Sequence, residues 1–249
     1  VTGGAGYIGS TAAAALLQAG HQVTVYDSLV TGHIQAIPTG VRFIHANLDD
    51  SSEMAAAFKD QQFDAVLHFA AFIEAGESMK NPGKYFRNNL SNSLRLIDAA
   101  VHSGVQRFVL SSTAAVYASS DTPLSETSPL APANVYGHTK LMGEQALEWY
   151  RKIHGLHYAA LRYFNAAGAL PGRGEAQRPE THLIPLVLQV ALGQRASIAI
   201  YGDDYDTLRG LAARLEERLR AIPGITDLQT EKQVRIPQLQ VRVDYAKAK

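Results

Sequence analysis

The 249-residue chain has no cysteine. Disulfides and thiolate metal centres are therefore excluded, and the composition suits a reducing compartment such as the cytoplasm. Charge of one sign is also lacking, since Lys+Arg and Asp+Glu each number 23. Without a basic field, neither nucleic acid nor an anionic membrane surface is an expected partner. No run approaches ~20 consecutive apolar residues, so no membrane-spanning helix is expected. The nine histidines are scattered with no pair at metal-ligand spacing, and no metal is expected. What remains is 46% hydrophobic and 18% charged. That balance supports a sizeable buried core and argues against disorder. The first residue is Val1, not Met, so the chain is expected to begin inside a longer protein or after a removed segment.

Short apolar runs bounded by turn residues predict strands at Gln22–Tyr26, Arg42–His45, Ala65–Phe69, Arg107–Ser111 and His157–Tyr163. Helical patterns lie between them at Ser10–Ala19, Ser52–Gln61, Pro82–Ser103 and Ala133–His154. This alternation predicts an α/β fold with a parallel, doubly wound sheet of Rossmann type. Only Val1 and Thr2 precede the first glycines, whereas a strand usually needs ~5 residues. The central strand is thus expected to be largely missing, leaving its neighbours exposed unless another segment replaces it.

The opening Val1-Thr2-Gly3-Gly4-Ala5-Gly6-Tyr7-Ile8-Gly9-Ser10 carries glycines at 3, 4, 6 and 9. It satisfies G-x-x-G-x-x-G and, through Gly4, Gly6 and Gly9, G-x-G-x-x-G. Missing Cβ atoms let the backbone turn tightly against a pyrophosphate held at a helix N-terminus. Gly3, Gly6, Tyr7, Ile8 and Gly9 are the expected cofactor contacts. Asp27, 18 residues after Gly9 and ending the second strand, suits the adenosine ribose hydroxyls and repels a 2′-phosphate. NAD is therefore expected in preference to NADP. A cofactor domain is expected over residues 1–165 and a truncated substrate domain over 166–249.

Tyr136-Gly137-His138-Thr139-Lys140 sets Tyr136 and Lys140 at i and i+4 on one helix face. Tyrosine, with a pKa near ~10, needs a neighbouring cation to act as a base at neutral pH. Lys140 is the expected cation and a possible partner for the nicotinamide ribose. Ser111-Ser112-Thr113 closes a strand at the carboxyl edge, where open α/β sheets bind ligands. A hydroxyl there can hold a substrate oxygen while Tyr136 removes its proton.

These residues resemble the extended short-chain dehydrogenase/reductases, and among them the sugar-nucleotide 4-epimerases. The likeness continues through His68-Phe69-Ala70-Ala71, Gly76-Glu77-Ser78, Asn88-Asn89 and Ser111-Ser112-Thr113-Ala114-Ala115-Val116-Tyr117. Leu161-Arg162-Tyr163-Phe164-Asn165-Ala166-Ala167-Gly168, His182-Leu183-Ile184-Pro185 and Ile198-Ala199-Ile200-Tyr201-Gly202 extend it to about residue 205. The resemblance implies NAD-dependent 4-epimerisation of a UDP-hexose, such as UDP-glucose or UDP-galactose, through a 4-keto sugar. Tyr136 would exchange the proton, Thr113 and Ser112 would hold the substrate, and Lys140 would complete the catalytic set. Asn47 and Leu48 would flank adenine. Phe69, Ala70, Ala71, Asn89 and Ser111 would line the cofactor, with Tyr163 near the nicotinamide. Asn165, His182, Leu183 and Tyr201 would begin the UDP-sugar site. A homodimer through the Pro82–Ser103 and Ala133–His154 regions is implied too.

After Tyr205 the likeness stops. A helix is predicted over Asp206–Ile222, then strands at Thr226–Thr230 and Leu239–Val243. This tail resembles the porter region of heavy-metal RND efflux pumps, through Arg220-Ala221-Ile222-Pro223-Gly224-Ile225 and Ile236-Pro237-Gln238-Leu239-Gln240. A fusion with its junction near residues 201–207 is expected, with turnover impaired by loss of diphosphate clamps. Two other readings stay open: an NAD(P)-dependent oxidoreductase acting on a smaller alcohol or ketone, and a non-catalytic NAD-binding or interaction protein.

Overall fold

The computed structural model describes residues 1–59, 61–177, 180–197 and 205–220. The chain divides into two compact units, Val1–Gly174 and Glu175–Lys249. The first unit runs α1 (Tyr7–Gln18), β1 (Thr24–Asp27), β2 (Arg42–His45), α2 (Ser51–Lys59) and β3 (Ala65–His68). It continues with α3 (Ala75–Lys80), α4 (Pro82–Tyr85), a π-helical turn (Phe86–Ser91), α5 (Asn92–His102), β4 (Arg107–Thr113), α6 (Val135–His154) and β5 (His157–Tyr163). All strand pairings are parallel: β1 with β2, β3 with β4, and β4 with β5.

The expected gap in the sheet is bridged by two residues. Thr2 forms parallel bridges to Tyr26 and to His68, joining β1 to β3. Its N–H donates to the Leu67 carbonyl at 2.9 Å and its own carbonyl accepts from Phe69 N at 3.0 Å. On the other side, Tyr26 N donates to the Val1 carbonyl and Gly3 N to the Tyr26 carbonyl, each at 2.9 Å. The neighbours are not laid open, contrary to expectation: Val25, Tyr26 and Val66 are all buried. A strand's contribution comes from paired backbone groups and flanking packing, and here two residues supply both.

The apolar side chains of β3 and β4 meet α2, α5 and α6 in one core of Val66, Phe108, Leu110, Met54, Leu96, Ile97 and Leu147. Across the sheet, Ala13 of α1 packs with Val23 and Val25. The predicted helix Pro82–Ser103 is broken into α4, the π turn and α5. The extra residue in such a turn shifts the helix face, and π turns concentrate at functional positions. α6 is closed at both ends. The Asn134 side chain accepts from Gly137 N at 2.8 Å, and Gly155, at φ +70°, stops the helix in the left-handed region.

A chain of polar groups crosses this core. His68 is 1% exposed. Its Nδ1 lies 2.7 Å from Thr2 Oγ1 and its Nε2 2.7 Å from Ser93 Oγ. Ser93 spends its only proton on the Asn89 carbonyl, at 2.6 Å. Ser93 must therefore accept from His68, which fixes the Nε2–H tautomer and makes Nδ1 the acceptor for Thr2. Burial, reinforced by the Lys140 cation, holds the imidazole down to about 3.

The second unit contains α7 (Leu183–Ala191) and α8 (Tyr205–Arg220). α8 coincides with most of the helix predicted over Asp206–Ile222. The strands predicted at Thr226–Thr230 and Leu239–Val243 lie outside the described residues, as does Tyr201. No described helix is long and apolar enough to cross a membrane.

His68 makes stability pH-dependent. The unfolded imidazole takes its proton near ~6.5 and the folded one only near 3, so stability present above pH 6.5 is lost as pH falls toward 3. Urea unfolding at pH 6.5 and pH 4.5 is expected to show about 2 kcal/mol more loss in the parent protein than in His68→Gln.

Candidate active site

Where β1 and β3 end, the glycine loop is pressed onto neighbouring backbone. Gly3 adopts φ +70°, and a Cβ there would lie 2.5 Å from Ala70 N. A Cβ on Gly9 would lie 2.1 Å from the Gly3 carbonyl oxygen. Gly6 forms the N-cap of the 12-residue α1 with no side-chain cap and no acidic residue in the first turn. The loop thus presents the positive end of a helix dipole, the arrangement that receives a pyrophosphate. Tyr7 and Ile8 open this helix. The Tyr7 hydroxyl donates to the Gly168 carbonyl at 2.6 Å, tying the loop to the segment after β5.

Asp27 does more than await a ribose. Its Oδ2 accepts from Ala5 N at 2.9 Å and its Oδ1 from Leu29 N at 2.8 Å. The acid therefore braces the glycine loop from the end of β1, and each oxygen keeps a second lone pair. Leu29, held by the second bond, sits at φ +57°. Asn47 is exposed and its carbonyl accepts the Tyr26 hydroxyl at 2.9 Å. Leu48, placed by resemblance beside adenine, packs against the core at 7% exposed.

Phe69, Ala70 and Ala71 follow β3 directly under the glycine loop, all half-buried. Asn89 in the π turn is buried and closes on this segment. Its Oδ1 accepts from Phe72 N and its Nδ2 donates to the Phe72 carbonyl, both at 2.9 Å. Most of its amide is thereby spent on shaping the loop after β3.

The carboxyl end of β4 meets α6. Thr113 Oγ1 accepts from Ala115 N at 3.1 Å, which leaves its own proton for another acceptor. Burial raises the Tyr136 phenol, and the nearby Thr113 hydroxyl opposes the rise. Lys140 is 3% exposed, and burial lowers its ammonium to about 8. One turn along α6 from Tyr136, it donates to the Ser111 carbonyl at 2.7 Å. Tyr163 stands in register with Thr113 at the end of β5, its phenol raised by burial.

Ser112 is a correction. Strand alternation puts it on the α6 side with Phe108, Leu110 and its register partner Arg162. Its hydroxyl donates to buried Glu144, away from a substrate. Glu144 also takes the Arg162 fork, with Nη2 at 2.7 Å. Arg162 Nη1 reaches the Tyr117 hydroxyl at 3.0 Å and the Glu126 carbonyl at 3.1 Å, anchoring the loop that leads into α6. Sequence reasoning assigned no role to this pair. The available signal was spacing, because Glu144 continues the Tyr136–Lys140 stripe by one more turn.

Asn165 is exposed just after β5. His182 and Leu183 belong to the second unit, where His182 Nδ1 pairs with Glu175 and lies 3.8 Å from Glu180 Oε1. These three side chains cluster closely enough to hold a cation, a grouping not evident from histidine spacing.

A glycine loop, an acid at the end of a neighbouring strand and a Tyr/Lys helix beside a Thr-ended strand meet at the carboxyl edge of a doubly wound sheet, the place where such folds receive a nucleotide. The chain belongs to the NAD dependent epimerase/dehydratase family, a model of which matches residues 1–212. It is 45% identical over 217 residues to the UDP-glucose 4-epimerase of Lacticaseibacillus casei, an alignment covering 86% of this chain and 66% of that protein. The UDP-glucose 4-epimerase of Halalkalibacterium halodurans is 47% identical over 217 residues, covering 86% of this chain and 65% of that one. The chain thus spans just under two thirds of these relatives. The crystal structure of UDP-glucose 4-epimerase from Brucella ovis in complex with NAD superposes with a TM-score of 0.78 at 37% identity, over 87% of this chain and 73% of that one.

Removing one member of the buried Glu144–Arg162 pair strands the other charge. Arg162→Met is expected to cost about 2–3 kcal/mol in urea unfolding, less than a fully buried pair because Arg162 keeps some solvent contact. Adding Glu144→Leu is expected to recover part of that loss, read as a positive coupling in a double-mutant cycle.

Proposed function

We propose that this chain carries the NAD site and catalytic residues of a UDP-hexose 4-epimerase that interconverts UDP-glucose and UDP-galactose. The observation that carries this reading is the buried Lys140 ammonium, one turn along α6 from Tyr136, bonded to the Ser111 carbonyl of the strand that ends at Thr113. Family membership and relatives named UDP-glucose 4-epimerase support the same substrate class.

The residues present fit the cofactor. Gly3, Gly6, Tyr7, Ile8 and Gly9 would seat its pyrophosphate on α1, and Asp27 would accept the adenosine ribose hydroxyls with its remaining lone pairs. Lys140, with one ammonium proton on Ser111, has donors left for the nicotinamide ribose. NAD held there would supply a reversible hydride acceptor for C4, so no external oxidant would be consumed. Thr113 orients the C4 oxygen, and Tyr136, as the phenolate that the Lys140 ammonium and the nicotinamide cation would favour, takes the hydroxyl proton as the ketone forms and then returns it. Loss of the proton to Tyr136 and of hydride from C4 leaves a neutral 4-keto sugar, so the charges balance.

Asn165, His182, Leu183 and Tyr201 are assigned to the UDP-sugar side by resemblance. The absence of cysteine suits the cytoplasm. A homodimer through α6 is supported by Trp149 and Ile153, one turn apart on that helix and 62% and 68% exposed. Residues 206–249 are assigned a separate origin on the porter-like motifs of the tail. Sequencing the source DNA would overturn this if a corrected reading frame restored the family's segment.

Incubation with UDP-galactose and NAD tests the function. Formation of UDP-glucose without net NADH is expected, and Tyr136→Phe should slow it by about 100-fold or more. Net NADH from small alcohols would replace this reading with a simple oxidoreductase. NAD binding with neither reaction would leave a binding protein.

A further inference from the structure

We propose that Ser78 is a positioning residue for Tyr136: reaching from α3, it caps the first turn of α6 and sets where the phenol meets Thr113. This rests on the catalytic role given to Tyr136 above. The Gly76-Glu77-Ser78 motif has no part in the site as described so far, yet Ser78 is fully buried.

The first turn of any helix leaves backbone N–H groups without partners inside the helix. In α6, Asn134 takes the Gly137 N–H in the usual way. The Tyr136 N–H goes instead to Ser78 Oγ, at 3.1 Å and 58 residues away in sequence. Ser78 gives its own proton to the Ala75 carbonyl at 2.6 Å, so its oxygen is committed to accepting from Tyr136. α3 is itself fixed. The Glu77 carboxylate accepts from Lys84 Nζ at 2.7 Å and from the Tyr85 hydroxyl at 2.8 Å, and Tyr85 is fully buried.

The same turn of α6 is seated on the residues after β4. A Cβ on Gly137 would lie 2.3 Å from the Ala115 carbonyl oxygen. Ala115 is also the residue whose N–H orients the Thr113 hydroxyl. Tyr136 therefore has its backbone held by Ser78, while Ala115, against which the same turn is seated, donates to Thr113 Oγ1. Releasing the Ser78 end lets the phenol shift relative to a donor that stays in place.

Charged groups on the packed elements are accounted for. Glu77 and Lys84 pair with each other, Glu144 pairs with Arg162, and Lys140 is directed at Ser111. Arg87 of the π turn lies beside Gly83, and Tyr163 ends β5. Thr113 is the nearby hydroxyl that acts on the phenol.

The test compares Ser78→Ala, Ser78→Thr and Thr113→Val in the full chain. Tyr136 is followed by 13Cζ-tyrosine NMR, assigned by its absence in Tyr136→Phe. Ser78→Ala is expected to move the phenol titration upward, toward its position in Thr113→Val, while Ser78→Thr stays with the parent. In the epimerase assay, kcat should fall between about 10- and 100-fold in Ser78→Ala with KM little changed. A less stable Ser78→Ala protein with an unmoved Tyr136 titration would overturn the proposal and leave Ser78 a structural cap. If the parent does not interconvert UDP-hexoses, the proposed function fails separately, and the NMR titration still decides the positioning. If Ser78→Ala does not fold, Ser78→Gly in the same titration decides it, with the same upward shift expected.

Discussion

The site depends on the pairing of Val1–Gly3 with strands on both sides. Four backbone hydrogen bonds run from this segment to Tyr26, Leu67 and Phe69. They make one sheet of what would otherwise be a two-stranded and a three-stranded piece. The loop begins at the very next residue, so the pairing also decides where the glycines lie. Parallel strands bring their carboxyl ends to a common edge. Asp27 from β1 and Ala70 from beyond β3 consequently arrive at the same short stretch of backbone, where neither Gly3 nor Gly9 has room for a Cβ.

Beneath that edge the interior is unusually polar. His68 links Thr2 to Ser93 and, through it, to the π turn that holds Asn89. Lys140 is buried against one carbonyl, and Glu144 is buried against Ser112 and Arg162. Each group costs desolvation free energy that an apolar side chain would avoid. Satisfied networks of this kind hold neighbouring elements in one arrangement, which a hydride-transfer site requires within fractions of an ångström. The direction of the pKa shifts fits this account. His68 is kept neutral and Lys140 is the nearby cation, so a single positive charge stands near the reacting edge.

The parallel fold, the glycine loop, Asp27 and the Tyr136–Lys140 spacing were legible in the chain because each is a local pattern. Strand alternation, helical periodicity and a run of glycines need only a few neighbouring residues to express themselves. Less was legible where a residue's partner is remote. Ser112 looked equivalent to Ser111 and Thr113, but the pleat turns it to the opposite face, toward Glu144. The sequence could not show that the Asn89 amide also shapes the loop after β3 through Phe72. Lys140 was expected as the cation near the phenol, and its bond to a carbonyl on β4 could not be read from spacing. The π turn was hidden in a continuous helical pattern, since an inserted residue leaves composition unchanged.

The amino-acid sequence by itself determined the order of elements, the backbone freedom of the loop and the placing of Tyr136 and Lys140 on one helix face. These follow from side-chain chemistry and short-range periodicity. Only the tertiary structure decided that Thr2 joins β1 to β3, that Asp27 also braces the glycine loop, and that Ser78 holds the turn carrying Tyr136. The reason is physical: hydrogen bonds and close packing between elements depend on distances across the fold, and residues 58 apart acquire a mutual distance only when the sheet has formed.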